Sequence, residues 1–160
     1  MSKVKTNAMR ILDQHKINYQ LFTYEVDDAI DGISVANKIG RDQDEVFKTL
    51  VTRASSKQIY VFVIPVAKEL DLKKAAKVVQ EKKMEMIPVS EINKLTGYIR
   101  GGCSPVGMKK SYPTILDESA AVLPSFIVSG GKIGLQLELH PHDLKKVISV
   151  TFASVVVEAS

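Results

Sequence analysis

With 160 residues, 45% of them hydrophobic and 25% charged, the chain is expected to form one globular domain over residues 1–160 with a sizeable core. Its longest apolar run, at 59–65, is only strand length and ends in proline, the N-terminus is polar and charged, and Cys103 is the only cysteine. These features exclude a helical membrane span, an internal disulfide and a cysteine-built zinc site, and point to a cytoplasmic protein with no metal, cofactor or membrane partner. The net charge of +4 is uneven: 27–45 holds six acids against two bases, and 66–110 holds ten bases against five acids, a pattern open to a polyanion such as RNA and equally to an ordinary solvated surface.

Thr6 is placed to cap a first helix in which Met9, Ile11 and Leu12 supply apolar contacts and Lys16 a basic end. Residues 18–26 are rich in β-formers and read as a strand, and the acidic stretch 27–32 reads as a loop. Ser34 is expected to cap a short helix through Ile39, stopped by Gly40, and Asp42 or Asp44 to cap one further turn. Residues 47–53 then pair with 58–66 as a hairpin across a Ser-Ser-Lys turn. Asp71 caps a helix over 72–79 that docks on a sheet with its lysines outward. A short strand follows at 84–87, and Ser90 is expected to cap a helix over 91–96 that Gly97 closes.

Further strands are expected at about 98–102, 114–116, 125–128 and 135–139, the last alternating Leu135, Leu137 and Leu139 with Gln136 and Glu138. Asp143 is expected to begin a final helix to Ile148, and 150–157 to form a strand or a docked tail. Strands that dominate, with single helices between them and short connections, imply an α+β fold: a mixed, largely antiparallel sheet or barrel-like core flanked by helices.

The most unusual segment is 96–110, which holds four glycines, a Ser-Pro turn and Lys109-Lys110. Adjacent Gly101 and Gly102 let backbone N–H groups approach a ligand, and the lysines suit an anion; a bulge and turn without a ligand is the plainer alternative. Ser104-Pro105-Val106-Gly107 fits a type I turn, and the segment lacks the spacing and ending of a phosphate-binding P-loop. Lys48 falls inside a strand among apolar neighbours, where an ammonium either meets an anion or guards a sheet edge against aggregation. Ser129-Gly130-Gly131 begins a second glycine-rich turn, by itself a hairpin turn, although two such turns on one sheet can face one cavity. His140 and His142 have no companions at metal-ligand spacing. Cys103 reads as a small buried thiol or, beside a lysine, as a thiolate, and Ser104 has neither a nucleophile elbow nor an evident base.

Phe47-Lys48-Thr49-Leu50, Leu72-Lys73-Lys74-Ala75-Ala76-Lys77, Lys83-Met84-Glu85-Met86, Thr96-Gly97-Tyr98 with the run from Gly101 to Lys110, and Val128-Ser129-Gly130-Gly131-Lys132 together resemble the YbaK/EbsC family. These are trans-editing aminoacyl-tRNA deacylases related to the editing domain inserted in bacterial prolyl-tRNA synthetase. The resemblance runs over nearly the whole chain in one order, and implies a β-rich sheet or barrel flanked by helices. It implies catalytic roles for Lys48, Gly101 and Gly102, and substrate contacts at Tyr24 and Ser129, with Thr49, Ser104, Gly130 and Gln136 as further candidates on the same segments. The branch it looks closest to hydrolyses Cys-tRNA(Pro), where the substrate's own thiol attacks its ester carbonyl. Alternatives are a deacylase for Ala-tRNA(Pro) or another small misacylated amino acid, and a non-catalytic module that binds a tRNA acceptor end or a synthetase. The implied partners are misacylated tRNA(Pro) and prolyl-tRNA synthetase. The chain departs from the family at Cys103, where an aliphatic residue is common, and at Gln136, where an acidic or small polar residue often stands; both bear on the amino acid accepted.

Overall fold

Period-two patterning and strong helix caps set most of the element boundaries in the computed structural model, which describes residues 5–27 and 31–158. Part of the expected acidic loop, at 28–30, lies outside them. Helix α1 (Asn7–Gln14) starts where Thr6 accepts a hydrogen bond from the Met9 N–H at 3.2 Å, and buries Ala8, Met9 and Leu12. Strand β1 is shorter than its β-forming stretch and covers Gln20–Thr23. Helix α2 (Gly32–Lys38) is capped by Asp31 rather than Ser34. The Asp31 carboxylate is the stronger acceptor, and takes both the Ser34 N–H at 3.0 Å and its hydroxyl at 2.8 Å. Asp42 caps the 3₁₀ turn Gln43–Glu45.

The hairpin forms as the pattern predicts: β2 (Phe47–Ala54) runs antiparallel to β3 (Ile59–Pro65), with Lys48 opposite Ile64. Asp71 caps α3 (Leu72–Val78) by accepting from the N–H groups of Lys73 and Lys74, and Ala75 and Ala76 face the sheet. After β4 (Met84–Met86), helix α4 (Val89–Thr96) begins directly behind Pro88, without a side-chain cap, so Ser90 lies inside the helix. Gly97 ends it at φ 86°.

The strand expected at 98–102 is absent. The Gly102 N–H instead donates to the Ile99 carbonyl at 2.9 Å, with Gly101 at φ 87°, because a left-handed turn is open to glycine at little steric cost while a ladder gains nothing from its missing side chain. Nor is 104–107 closed as a type I turn by its backbone; the Ser104 hydroxyl accepts the Val106 N–H at 3.2 Å. Strands β5 (Thr114–Asp117), β6 (Phe126–Ser129) and β7 (Leu135–Leu139) follow. The helix expected from Asp143 is a 3₁₀ helix over Pro141–Lys146, begun two residues earlier by Pro141 and capped by His140. Strand β8 is Val150–Ala153.

The strands form two sheets, antiparallel β1-β7-β6 and mixed β4-β2-β3-β5-β8, in which β5 runs parallel to both neighbours. A parallel bridge from Val46 to Ile127 joins them, and Phe47 meets Phe126 edge to face at 5.3 Å behind that joint. The main core lies there, with Val51, Val61, Val63 and Leu116 against Val128, Leu137 and Leu139. A second core, around Phe62 and Ile64, lies under α3.

The other edge of β2 positions the site. Val66 donates to the Val46 carbonyl and Ala54 to the Gln58 carbonyl, so even-numbered residues of β2 turn their backbone groups to β3 and odd-numbered ones turn theirs away. On that second edge Val46 bridges β6, Ile87 donates to the Val51 carbonyl, and Thr52–Ala54 pair with β4. Between these anchors no strand among the described residues pairs with this edge of β2, and a cleft opens at Lys48 and Thr49.

Candidate functional site

The cleft is small, about 100 Å³, and is built from both sheets. Strand β2 contributes Lys48 and Thr49, the 98–102 turn Gly101 with Cys103 after it, β6 Ser129, and β7 Gln136. Ser129 and Gln136 are cross-strand partners, so they share one face of the three-stranded sheet.

Lys48 is half-buried on the β2 face that also carries Leu50. Burial lowers its pKa from the ordinary lysine value, and the charge of Glu69 opposes part of that shift. Among the described residues it makes no hydrogen bond or ion pair. An ammonium kept partly out of water with its donors unspent is a ready partner for an anion or a polarised carbonyl.

Two more polar groups in the cleft are unpaired. The Thr49 hydroxyl and the Gln136 side-chain carbonyl are buried without a hydrogen-bond partner. Such an atom costs about 1–3 kcal/mol, and two in one hollow mark a place where a ligand completes the bonding. Tyr24 carries a third buried, unpaired hydroxyl. It lies beyond β1, where its N–H donates to the Gly134 carbonyl and Lys38 sits over its ring at 5.7 Å, and it does not border the cleft.

The other candidates have framework contacts. Gly102 is buried, its N–H is committed to Ile99, and an added Cβ would come within 2.8 Å of the Lys132 Cα and the Ile133 nitrogen. The two glycine turns are thus pressed together, with Gly101 left on the cleft wall. Gly130 lies against Leu135, and its carbonyl accepts from the Thr6 hydroxyl at 2.6 Å. Ser104 is fully buried and off the cleft. The Ser129 hydroxyl accepts the Gly131 N–H at 3.2 Å, which leaves its own proton available. Burial pushes the Cys103 thiol up to about 11, with a Thr96 hydrogen bond pulling the other way, so it is a neutral thiol near pH 7.

Sequence reasoning passed over the α2 side of the cleft. Gly32 rests on Val66 so closely that a Cβ would meet its Cγ1 at 2.4 Å, and Val35 lies beside it. Nothing in their local pattern distinguishes these residues. It also passed over Arg41, whose guanidinium grips Glu138 with two bonds of 2.8 and 2.7 Å, holds Glu45 and covers the Phe22 ring. This clamp fixes the segment after α2 to the Gln136 face of β7. Among the described residues no group of three or more His, Cys, Asp or Glu is placed to hold a metal, and no helix is long and apolar enough to cross a membrane.

Residues 29–147 match the aminoacyl-tRNA editing domain family. The chain is 45% identical over 152 residues to EbsC of Enterococcus faecalis, named as a candidate Cys-tRNA(Pro)/Cys-tRNA(Cys) deacylase; the match covers 94% of this chain and 93% of that protein. A solved structure described as a candidate trans-editing enzyme for prolyl tRNA synthetase is similar with a TM-score of 0.80 at 22% identity, over 98% of this chain and 100% of that one. A crystal structure of a hypothetical protein is similar with a TM-score of 0.84 at 21% identity, over 94% and 99% of the two chains. At these identities the two structures speak for the fold.

Proposed function

The chain belongs to the aminoacyl-tRNA editing domain family, and from that premise we propose that it is a trans-acting deacylase whose substrate is Cys-tRNA(Pro). The observation that carries this reading is the cleft itself: an unpaired, half-buried ammonium at Lys48 beside two orphaned polar groups, Thr49 and Gln136, in a hollow sized for a small acyl group.

An ester between an amino acid and a ribose hydroxyl is already activated, so the chemistry needs positioning more than a protein nucleophile. Lys48 and the Gly101 N–H are the donors for the developing oxyanion, since the Gly102 N–H is spent in its turn. Thr49, Gln136 and Ser129 orient the aminoacyl group. The nucleophile is the substrate's own thiol, with a pKa of about 8.5, and Lys48 nearby favours its thiolate. A carbon–sulfur bond forms, the carbon–oxygen ester bond breaks, the ribose oxygen takes up a proton, and a cyclic thiolactone leaves.

A synthetase pocket separates amino acids that differ by one methylene by only about 1–3 kcal/mol, which is why a second site with different sieving rules is useful. Prolyl-tRNA synthetase is the partner that supplies the mischarged tRNA and its identity, and the reaction belongs in the cytoplasm, where charged tRNA is found. The test is release of cysteine from Cys-tRNA(Pro) by the purified protein, against a panel that includes Ala-tRNA(Pro). Wild type is expected to prefer the cysteinyl ester, and Lys48→Ala to lose activity. Binding of tRNA without turnover would reduce the protein to an acceptor-end binding module.

A further inference from the structure

Arg41 stands outside the cleft yet touches three of the segments that build it. Its backbone N–H donates to the Ala36 carbonyl at 3.0 Å, which ties it to α2, the helix that carries Gly32 and Val35. Its guanidinium holds Glu45 at 3.0 Å, just ahead of β2 and Lys48, and Glu138 at 2.8 and 2.7 Å, just after Gln136 on β7. It also covers the ring of Phe22, the β1 residue directly opposite Gln136. We propose that Arg41 is a positioning residue: by gripping Glu45 and Glu138 together it sets how far the Gln136 side chain stands from Lys48. The proposal rests on the deacylase reading, which by itself gives this clamp no part in the reaction.

Lys48 and Gln136 belong to different sheets, so a fixed distance between them needs a brace across the joint. The clamp spans that joint. Glu45 precedes Val46, and Glu138 is the cross-strand partner of Ile127; Val46 and Ile127 form the bridge between the sheets. Alternation puts Glu138 on the same face of β7 as Gln136, only about 7 Å further along the strand, so the two side chains are carried together. The Gln136 side-chain carbonyl makes no hydrogen bond of its own, and its place is therefore set by β7 rather than by bonds inside the cleft. The grip suits arginine alone. Glu45 and Glu138 are like charges, and a planar fork of five donors bonds both where an ammonium offers a single point charge. The Glu138 side chain is 13% exposed and is held from its other side by the Ser125 hydroxyl, so it has little room to reorient. Misplacing a reacting group by about 1 Å costs on the order of 100-fold in rate, which makes turnover a sensitive gauge of such a brace.

The experiment measures turnover of Cys-tRNA(Pro) by Arg41→Lys, Gln136→Ala and the double variant, with the ¹H–¹⁵N spectrum of each chain as a readout that needs no substrate. Kinetics are taken at a temperature where the spectra show every variant folded, so that lost stability alone leaves the rate unchanged. Arg41→Lys keeps the charge and loses the fork. It should lower kcat about tenfold with KM within about twofold, and should move the Gln136 side-chain amide and Ser129 backbone amide signals. In the Gln136→Ala background the same substitution should change kcat by less than about twofold, because the group it positions is gone. Glu138→Gln releases the same grip from the other side; it is the second probe if Arg41→Lys does not fold, and should show the same pattern. An unchanged kcat, effects of Arg41 and Gln136 that simply multiply, or a Gln136 signal that stays in place overturns the proposal, leaves the clamp a brace for stability alone, and keeps the deacylase wherever wild type turns over. A wild type inactive on every ester of the panel, with the Gln136 signal still moved by Arg41→Lys, refutes the deacylase reading and keeps the placement of Gln136 by Arg41.

Discussion

Gly102 and Lys132 touch backbone to backbone: a Cβ on Gly102 would lie 2.8 Å from the Lys132 Cα, closer than real contacts allow. Backbone cannot swing aside as a side chain does. Gly102→Ala should therefore push the two glycine turns apart, cost about 1–3 kcal/mol and lower turnover by displacing Gly101 from Ser129. Denaturant unfolding and single-turnover kinetics measure the two effects. Gly101 adds a backbone requirement, its φ of 87°, so Gly101→Asn should cost less than Gly101→Val.

Thr49→Val separates stability from function. The hydroxyl it removes is buried without a partner, so thermal stability should hold or rise by up to about 1 kcal/mol. Deacylation should nevertheless fall about tenfold or more in kcat/KM. A fall in both would mean that the hydroxyl has a structural bond in solution.

Lys48 makes a prediction about pH. Its folded pKa lies below the ordinary lysine value of 10.5, chiefly through burial, so the folded state binds fewer protons than the unfolded chain between those two values. Stability contributed by this residue thus rises with pH across that window, and the penalty is fully present below it. Lys48→Met should raise the melting temperature at pH 7 and flatten that alkaline rise. Activity on Cys-tRNA(Pro) should climb as the substrate thiol ionises near about 8.5 and fall once Lys48 loses its proton. An alanyl ester should lack the climbing limb after the uncatalysed rate is subtracted.

The Arg41–Glu138 clamp predicts an effect on the acid side. Arg41 holds the Glu138 carboxyl below its ordinary value of 4.5, so the clamp stabilises the fold above that value and is lost as pH falls through the lower, folded one. Glu138→Gln should lose about 1–3 kcal/mol at pH 7 and converge with wild type in acid. Urea unfolding at pH 7 and pH 3 gives the comparison.

Cys103 should be slow to alkylate. With its thiol pushed from 9.0 to about 11, the thiolate fraction near neutral pH falls roughly 100-fold against the unfolded chain. Mass spectrometry of native and urea-unfolded protein treated with iodoacetamide measures the ratio; equal rates would mean that the 98–103 segment opens readily.

Local rules explain what could be read before folding. The 47–66 hairpin, the Asp71 cap, the Gly97 stop and the alternation of 135–139 all rest on neighbours a few residues apart, and so they are written in short stretches of sequence. The boundary errors have equally local causes. Asp31 outcompeted Ser34, Pro88 and Pro141 moved two helix starts, and a glycine pair became a turn where a strand was expected. The motif segments, and with them the family, were also legible, because they are identities in a row.

What the chain alone could not reveal is which of those motif residues share a hollow. Ser104, Gly102 and Gly130 look like Gly101 and Ser129 in sequence, yet the first three are packed against the framework while the last two line the cleft. That division depends on how two sheets meet at Val46 and Ile127, and on the stretch of β2 whose edge away from β3 is unpaired among the described residues. Side-chain periodicity sets which face of a strand a residue occupies; only packing between distant segments sets what stands opposite it. The seat of Gly32 and Val35 on the far wall is likewise a product of that packing.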